Sequence, residues 1–133
     1  MIKKIPFNEL NYRMEKFRSE MNNSNPDWEL AVIFSKINIY YFTGTMQDGI
    51  LIIPRDNESI LWVRRSYERA LKESLFKNIK SMKGFRDPAK HMQYFPKTVH
   101  IETEVIPLAL YRRFQKHFPI KNYQALDSSI DAV

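Results

Sequence analysis

His100, Glu102 and Glu104 alternate at the end of the stretch Val99-His-Ile-Glu-Thr-Glu104, where an imidazole and two carboxylates fall at regular spacing. On an extended strand, side chains two residues apart share a face, and this donor set could hold a divalent metal. The same alternation marks a strand with one solvated face, and Glu104 can fall in the following turn, so no metal site is assigned to it. His91 and His117 read as surface or helix-end residues. Arg64-Arg65 could bind an anion, or could be an ion-paired helix start. Gly44 and Gly49 have the outer spacing of a phosphate-binding loop, yet Ile50 and Leu51 stand where the essential Lys and Ser/Thr would be. There is no Gly-x-Ser-x-Gly elbow, no His-Glu-x-x-His pair and no Cys. That excludes thiol nucleophiles, Cys-type zinc sites and disulfide scaffolds. No catalytic residue is assigned. The segment best placed to act on a ligand is the polar run Thr43-Gly44-Thr45-Met46-Gln47-Asp48, lying between Tyr40-Tyr-Phe42 and the apolar stretch from Ile50. Loops between apolar elements are where function commonly sits, but a plain connecting turn would look the same.

The elements that must position this run are legible from hydrophobic spacing. Phe7, Leu10, Met14, Phe17 and Met21 step by three and four, the stripe of an amphipathic helix, which Asn22-Asn-Ser-Asn-Pro26 ends. Leu30–Phe34 has strand length, and Asn38–Phe42 reads as a short helical turn ending at Gly44. Ile50–Pro54 and Ser59–Val63 flank Arg55-Asp-Asn-Glu58 as a hairpin. Tyr67, Ala70, Leu71 and Leu75 predict a helix over 66–76. A strand over Ile79–Met82, a helix over Asp87–Tyr94 and a strand over Val99–Thr103 follow. Pro107 then opens a helix whose buried face is Leu110, Tyr111, Phe114 and Phe118, and Tyr123–Asp127 is a last strand. Strands apolar at every position belong to a sheet covered on both sides. The expectation is an α/β fold: a mixed sheet of about five to six strands flanked by helices, one domain over residues 1–133.

The chain carries a formal charge of +6, with 44% hydrophobic and 27% charged residues. Residues 64–97 hold ten Lys and Arg (Arg64, Arg65, Arg69, Lys72, Lys77, Lys80, Lys83, Arg86, Lys90 and Lys97) against Glu68, Glu73 and Asp87. Aromatic side chains are not interleaved with them as a base-stacking surface requires. The cations also cross several elements, so a solvated or domain-facing surface is expected, and no nucleic-acid partner. No apolar run reaches the ~20 residues of a membrane span, and the start lacks the apolar core of a secretory signal. A cytoplasmic protein with no membrane partner is expected.

The stretch Asn38-Ile-Tyr-Tyr-Phe-Thr-Gly-Thr-Met-Gln-Asp-Gly-Ile-Leu-Ile-Ile-Pro54 resembles the N-terminal domain of the creatinase, prolidase and aminopeptidase P family, with its "aromatic-Thr-Gly" ending before an apolar "Leu-Leu-Ile-Pro" strand. Three further pieces resemble that domain in order: Leu61–Ser74, Ile101–Tyr111, and Leu126-Asp-Ser-Ser-Ile130. The resemblance implies a parent in which a pita-bread C-terminal domain, absent from this chain, carries two Asp, one His and two Glu. Those side chains hold a divalent metal pair (manganese, cobalt or zinc) that cleaves peptides before proline. No cofactor is implied for this chain itself. The implied partners are its own catalytic domain, a second copy in a homodimer, and the parent's peptide substrate. The implied role is non-catalytic, aiding dimerisation and active-site access, with residues 43–48 as a solvent-exposed substrate-access loop. The alternative is a free-standing binding or interaction module with the same fold and no catalytic partner. The chain by itself is expected to hydrolyse no Xaa-Pro peptide when assayed with added manganese, cobalt or zinc. Metal-dependent turnover abolished by His100→Ala or Glu102→Ala would overturn that.

Overall fold

Strands that are apolar at every position need cover on both faces, and the fold supplies it with two helical layers. The computed structural model describes residues 3–133. The elements in chain order are α1 (Phe7–Ser24), β1 (Leu30–Ile33), α2 (Lys36–Thr43), β2 (Gly49–Pro54), β3 (Ile60–Val63), α3 (Tyr67–Glu73), β4 (Ile79–Ser81), α4 (Arg86–His91), β5 (Thr98–Ile101), α5 (Leu108–His117), β6 (Asn122–Ala125) and α6 (Asp127–Asp131). The strands form one sheet in the order β4-β3-β2-β1-β5-β6. β2 is antiparallel to both β1 and β3, while β1–β5, β5–β6 and β3–β4 are parallel pairs. Five strands therefore run one way and β2 alone runs the other.

Alternation along each strand sends its residues to two separate cores. Ala31, Ile33, Leu51, Ile53, Leu61 and Val63 pack with Met14, Phe17 and Met21 of α1, Ile39 and Phe42 of α2, Ala70 of α3 and Leu126. Leu30, Val32, Ile50, Ile52, Trp62, Val99 and Ile101 pack on the other side with Met82, Phe114 and Phe118, with Ala89 and Met92 of the α4 region at the margin. The first core centres on Phe17, edge-to-face with both Trp28 and Phe42. The second is knitted by the aromatic trio Phe34, Phe85 and Phe114. The mixed sheet flanked by helices is thus as the residue pattern required.

Element bounds depart from the expected ones where tertiary contacts intervene. α1 runs on through Asn22, Asn23 and Ser24, because Asn22 accepts a hydrogen bond from the indole of the buried Trp28 and Ser24 donates to Glu20. The expected turn over 38–42 is a two-turn helix whose N-cap is Ser35. The helix expected over 66–76 ends at Glu73. Of its apolar residues only Ala70 is fully buried, while Leu71 and Leu75 are exposed. The strand expected to reach Thr103 ends at Ile101, and residues 127–131, read as the end of a strand and beyond, turn into α6.

Gly49 begins β2 opposite Val63, and a Cβ added there would stand 1.9 Å from the carbonyl oxygen of Trp62. The glycine lets two backbones approach; a side chain forces β2 away from β3. Gly49→Ala is expected to lower the unfolding free energy in urea by about 1–3 kcal/mol, the scale of overpacking a tight core. A midpoint equal to that of the wild-type chain would show that the strands can part at no cost.

Candidate functional site

The carboxyl ends of β1, β3, β4, β5 and β6 share one edge of the sheet, and the candidate site is built along that edge. Its organising residue is Glu102, which immediately follows β5. Its carboxylate is almost fully buried. Oε1 accepts from the backbone N–H groups of Phe34 and Ser35, the latter at 2.9 Å, and Oε2 accepts from Asn38 Nδ2 at 2.6 Å. An anion at the start of α2 satisfies donors that a helix leaves unpaired and favours the local dipole. Burial nevertheless pushes the Glu102 carboxyl above its ordinary value, with the hydrogen bonds opposing the shift. His100 lies inside β5, beside Ala31 and Gln124. It is buried, its Nδ1 has no partner among the described residues, and burial holds its imidazole below the ordinary value. Glu104 is exposed beyond the strand. The three residues that alternate in the sequence thus do not meet as a ligand set. Among the described residues no group of three or more His, Cys, Asp and Glu is placed to hold a metal. The metal pair implied for the family does not fit the residues of this chain. His91 and His117 are the last residues of α4 and α5, and His91 packs edge-to-face on Trp62.

α2 delivers the run 43–48. The expectation that this run is solvent-exposed is corrected: Thr43, Thr45 and Gln47 are buried, Gly44 and Asp48 are half-buried, and only Met46, at 52%, is open to solvent. The reason is hydrogen-bond satisfaction at two helix ends. Thr43 Oγ1 donates to Ile39 O at 2.6 Å, and Ser74 Oγ donates to Thr43 O. Thr45 Oγ1 donates to Glu73 Oε2 at 2.8 Å and accepts from Gln47 Nε2 at 2.9 Å. Arg69 Nε closes on the other oxygen of Glu73 at 2.6 Å. Bonds from Arg69 and Thr45 keep the Glu73 carboxyl below its ordinary value. Gly44 takes a left-handed φ of 80° as the cap of α2, with Ile5 lying over it. The inward threonines and glutamine anchor the run on α3, and Met46 and Asp48 are what it presents outward.

Asp48 and Gly49 open into a cleft of about 410 Å³ between the carboxyl ends of the strands and α5. Phe34, Met82, Phe85 and Leu110 give it an apolar lining. Lys36, Arg64, Lys83, Arg113 and Lys116 surround it, with His117 beside them. Sequence reasoning isolated Arg64 and Lys83 within a basic segment but not their convergence with Lys36, Arg113 and Lys116, because three distant segments meet only through the sheet order. The other cations of 64–97 are dispersed: all ten are exposed, Arg69 and Lys77 pair with Glu73 and Glu58, and α3 and α4 lie on opposite faces of the sheet. Among the described residues no helix is long and apolar enough to cross a membrane.

Comparison with known proteins places this edge in a family. Residues 13–133 match the model of the creatinase/prolidase N-terminal domain. The chain belongs to that family. A domain of this family from an X-Pro dipeptidase of Streptococcus pyogenes superposes with a TM-score of 0.77 at 17% identity, covering 92% of this chain and 99% of that one. Prolidase from Pyrococcus furiosus gives 0.74 at 24% identity, covering 90% of this chain and 36% of the archaeal one. These likenesses show a shared fold. An uncharacterized peptidase of Staphylococcus epidermidis is 30% identical over 112 residues, covering 78% of this chain and 31% of the relative. A Staphylococcus aureus peptidase is 25% identical over 126 residues, covering 89% of this chain and 35% of the relative. This creatinase/prolidase N-terminal domain therefore spans about a third of the length of the curated relatives it matches.

Glu102 supplies the prediction for this edge. Glu102→Ala leaves two buried N–H groups and the Asn38 amide without an acceptor and is expected to cost about 2–4 kcal/mol of stability. Glu102→Gln keeps an acceptor and is expected to cost less. A carboxyl whose folded-state pKa is raised contributes stability that is full below its unfolded value and is lost as pH rises through the folded one. The stability of the wild-type domain relative to Glu102→Gln is therefore expected to decline as pH climbs from about 4.5. Parallel unfolding curves at each pH check this, and a difference that grows with pH would contradict the sign.

Proposed function

We propose that this domain is the non-catalytic N-terminal part of a metal-dependent Xaa-Pro peptidase of the prolidase or aminopeptidase P kind. In that protein it aids dimerisation and controls access to the active site. The observation that carries this reading is the family match over residues 13–133 combined with relatives, described as peptidases, that are about three times as long. The geometry supports it in one respect. The run 43–48, proposed as the substrate-access loop, is held by its buried residues at a fixed place on the sheet edge while Met46 and Asp48 face outward. A loop fixed in this way contributes by restricting and orienting what reaches a neighbouring active site. The metal pair, the peptide substrate and the second copy belong to this proposal, as does a cytoplasmic setting.

The side chains for mutation follow from the structure: Met46 and Asp48 rather than the buried Gln47. In the protein that joins this domain to its catalytic domain, Met46→Ser with Asp48→Ala is expected to lower kcat/KM for an Xaa-Pro substrate about tenfold. This is the scale of losing one or two oriented contacts at ~1 kcal/mol each. The melting temperature of the 133-residue domain should hardly change. Unaltered kinetics would remove the loop from substrate access. A reading frame that ends at Val133 without a second domain would remove the peptidase reading itself.

A further inference from the structure

The cleft at the carboxyl edge carries positive charge that, among the described residues, no ion pair neutralises. Lys36, Arg64, Lys83, Arg113 and Lys116 converge on about 410 Å³ of space, and Asp48 is the one carboxylate among the lining residues. Among the described residues none of these five side chains makes an ion pair or donates a hydrogen bond. The cations that are paired, Arg13, Arg69 and Lys77, lie elsewhere. Four other clefts, of about 260–400 Å³, have no more than two Lys or Arg each. Holding five like charges around one cavity raises their mutual repulsion, and an anion entering the cavity relieves it.

The position is one that this architecture makes available for ligands. β1 and β5 are parallel neighbours, but the chain leaves β1 into α2 on one face of the sheet and leaves β5 toward α5 on the other. Connections that part in opposite directions open a crevice outside the carboxyl ends of the strands. Arg64 follows β3, Lys83 follows β4, Lys36 opens α2, and Leu110, Arg113 and Lys116 line one face of α5 at a spacing of three. The opposing guanidinium groups can each grip an oxyanion through two donors. Beneath them lies a floor of Phe34, Met82, Phe85 and Leu110. Phe34 and Phe85 are held edge-to-face with their ring centroids 6.3 Å apart. The volume lies within the ~300–1,000 Å³ of small-ligand sites.

We infer that this cleft binds a small organic phosphate, with two or more phosphate oxyanions on the Lys and Arg walls and an apolar or aromatic body on the Phe34–Phe85 floor. A single carboxylate would offset one cation and leave the others unbalanced; an organic diphosphate offsets most of the surplus of four that remains after Asp48. The volume is too small for a nucleic-acid duplex, and the aromatic rings form the floor of a cleft rather than an exposed stacking platform.

The test is calorimetric titration of the 133-residue chain in 0.15 M salt with ADP as the probe and inorganic pyrophosphate and adenosine as comparators. ADP is expected to bind saturably at one site, and each comparator at least tenfold more weakly. Arg64→Ala and Arg113→Ala, both at exposed positions, should each weaken ADP about tenfold or more, and Asp48→Asn should tighten it. Lys90→Ala with Lys97→Ala, which removes two cations outside the cleft, should change it less than twofold. Loss of ADP affinity equal for the cleft and control variants would reduce the effect to general surface charge and overturn the site. Pyrophosphate binding as tightly as ADP would overturn the organic body. Binding of a polyglutamate peptide with none of ADP would overturn the small-ligand assignment in favour of an acidic protein surface.

Discussion

A single buried carboxylate joins the pieces on which the rest of the sheet edge depends. Glu102 leaves the end of β5 and takes up the N–H groups of Phe34 and Ser35 and the amide of Asn38. It thereby ties the end of β5 to the β1–α2 link across a separation of more than sixty residues. Without an acceptor there, the link from β1 into α2 would bury unpaired donors at Phe34 and Ser35, each costing about 1–3 kcal/mol. The bonds offset only part of the burial penalty, so the carboxyl stays above its ordinary value.

The second constraint is the satisfaction of helix ends. α2 and α3 both finish against the run 43–48, and their terminal groups are paired by Thr43, Thr45, Gln47, Glu73 and Ser74 among themselves. A loop whose polar residues are consumed in this way is rigid by construction, and its outward surface reduces to Met46 and Asp48. For a domain proposed to control access to a neighbouring active site, rigidity is the useful property, since orientation is lost if the loop wanders. Gly49 completes the arrangement by allowing β2 to start against the backbone of Trp62.

The two faces of the sheet carry different burdens. The α1, α2, α3 and α6 side holds the larger core, centred on Phe17 and Trp28. The α4 and α5 side leaves its margin open at the carboxyl edge, where the Phe34, Phe85 and Phe114 cluster lies under a ring of unpaired cations. Stability and ligand chemistry are thus separated in space. The cations can stay unpaired because their side chains are solvated at the rim while the apolar residues beneath hold the wall together.

How much of this was legible before folding differs by element. The continuous apolar runs at Leu30–Phe34, Ile50–Pro54 and Leu61–Val63 required a sheet covered on both sides, and the stripe of Phe7 to Met21 required a packed helix. These are local regularities of period two and three to four, so one sequence suffices to read them. The family, too, could be read from residues 38–54 and the pieces that follow. What could not be read is where polar side chains point. Thr45 and Gln47 look like solvent-facing loop residues until α3 arrives with Glu73, and Glu102 looks like one of an alternating trio until the link from β1 to α2 presents the N–H groups of Phe34 and Ser35. The basic cleft was hidden for the same reason: Lys36, Arg64, Lys83, Arg113 and Lys116 come from separate segments and meet only because the sheet order places β3 and β4 on one side of β1 and β5 on the other. Periodicity along a chain fixes which face a residue occupies, but the partner across that face is set by topology, and for polar groups the partner decides the role.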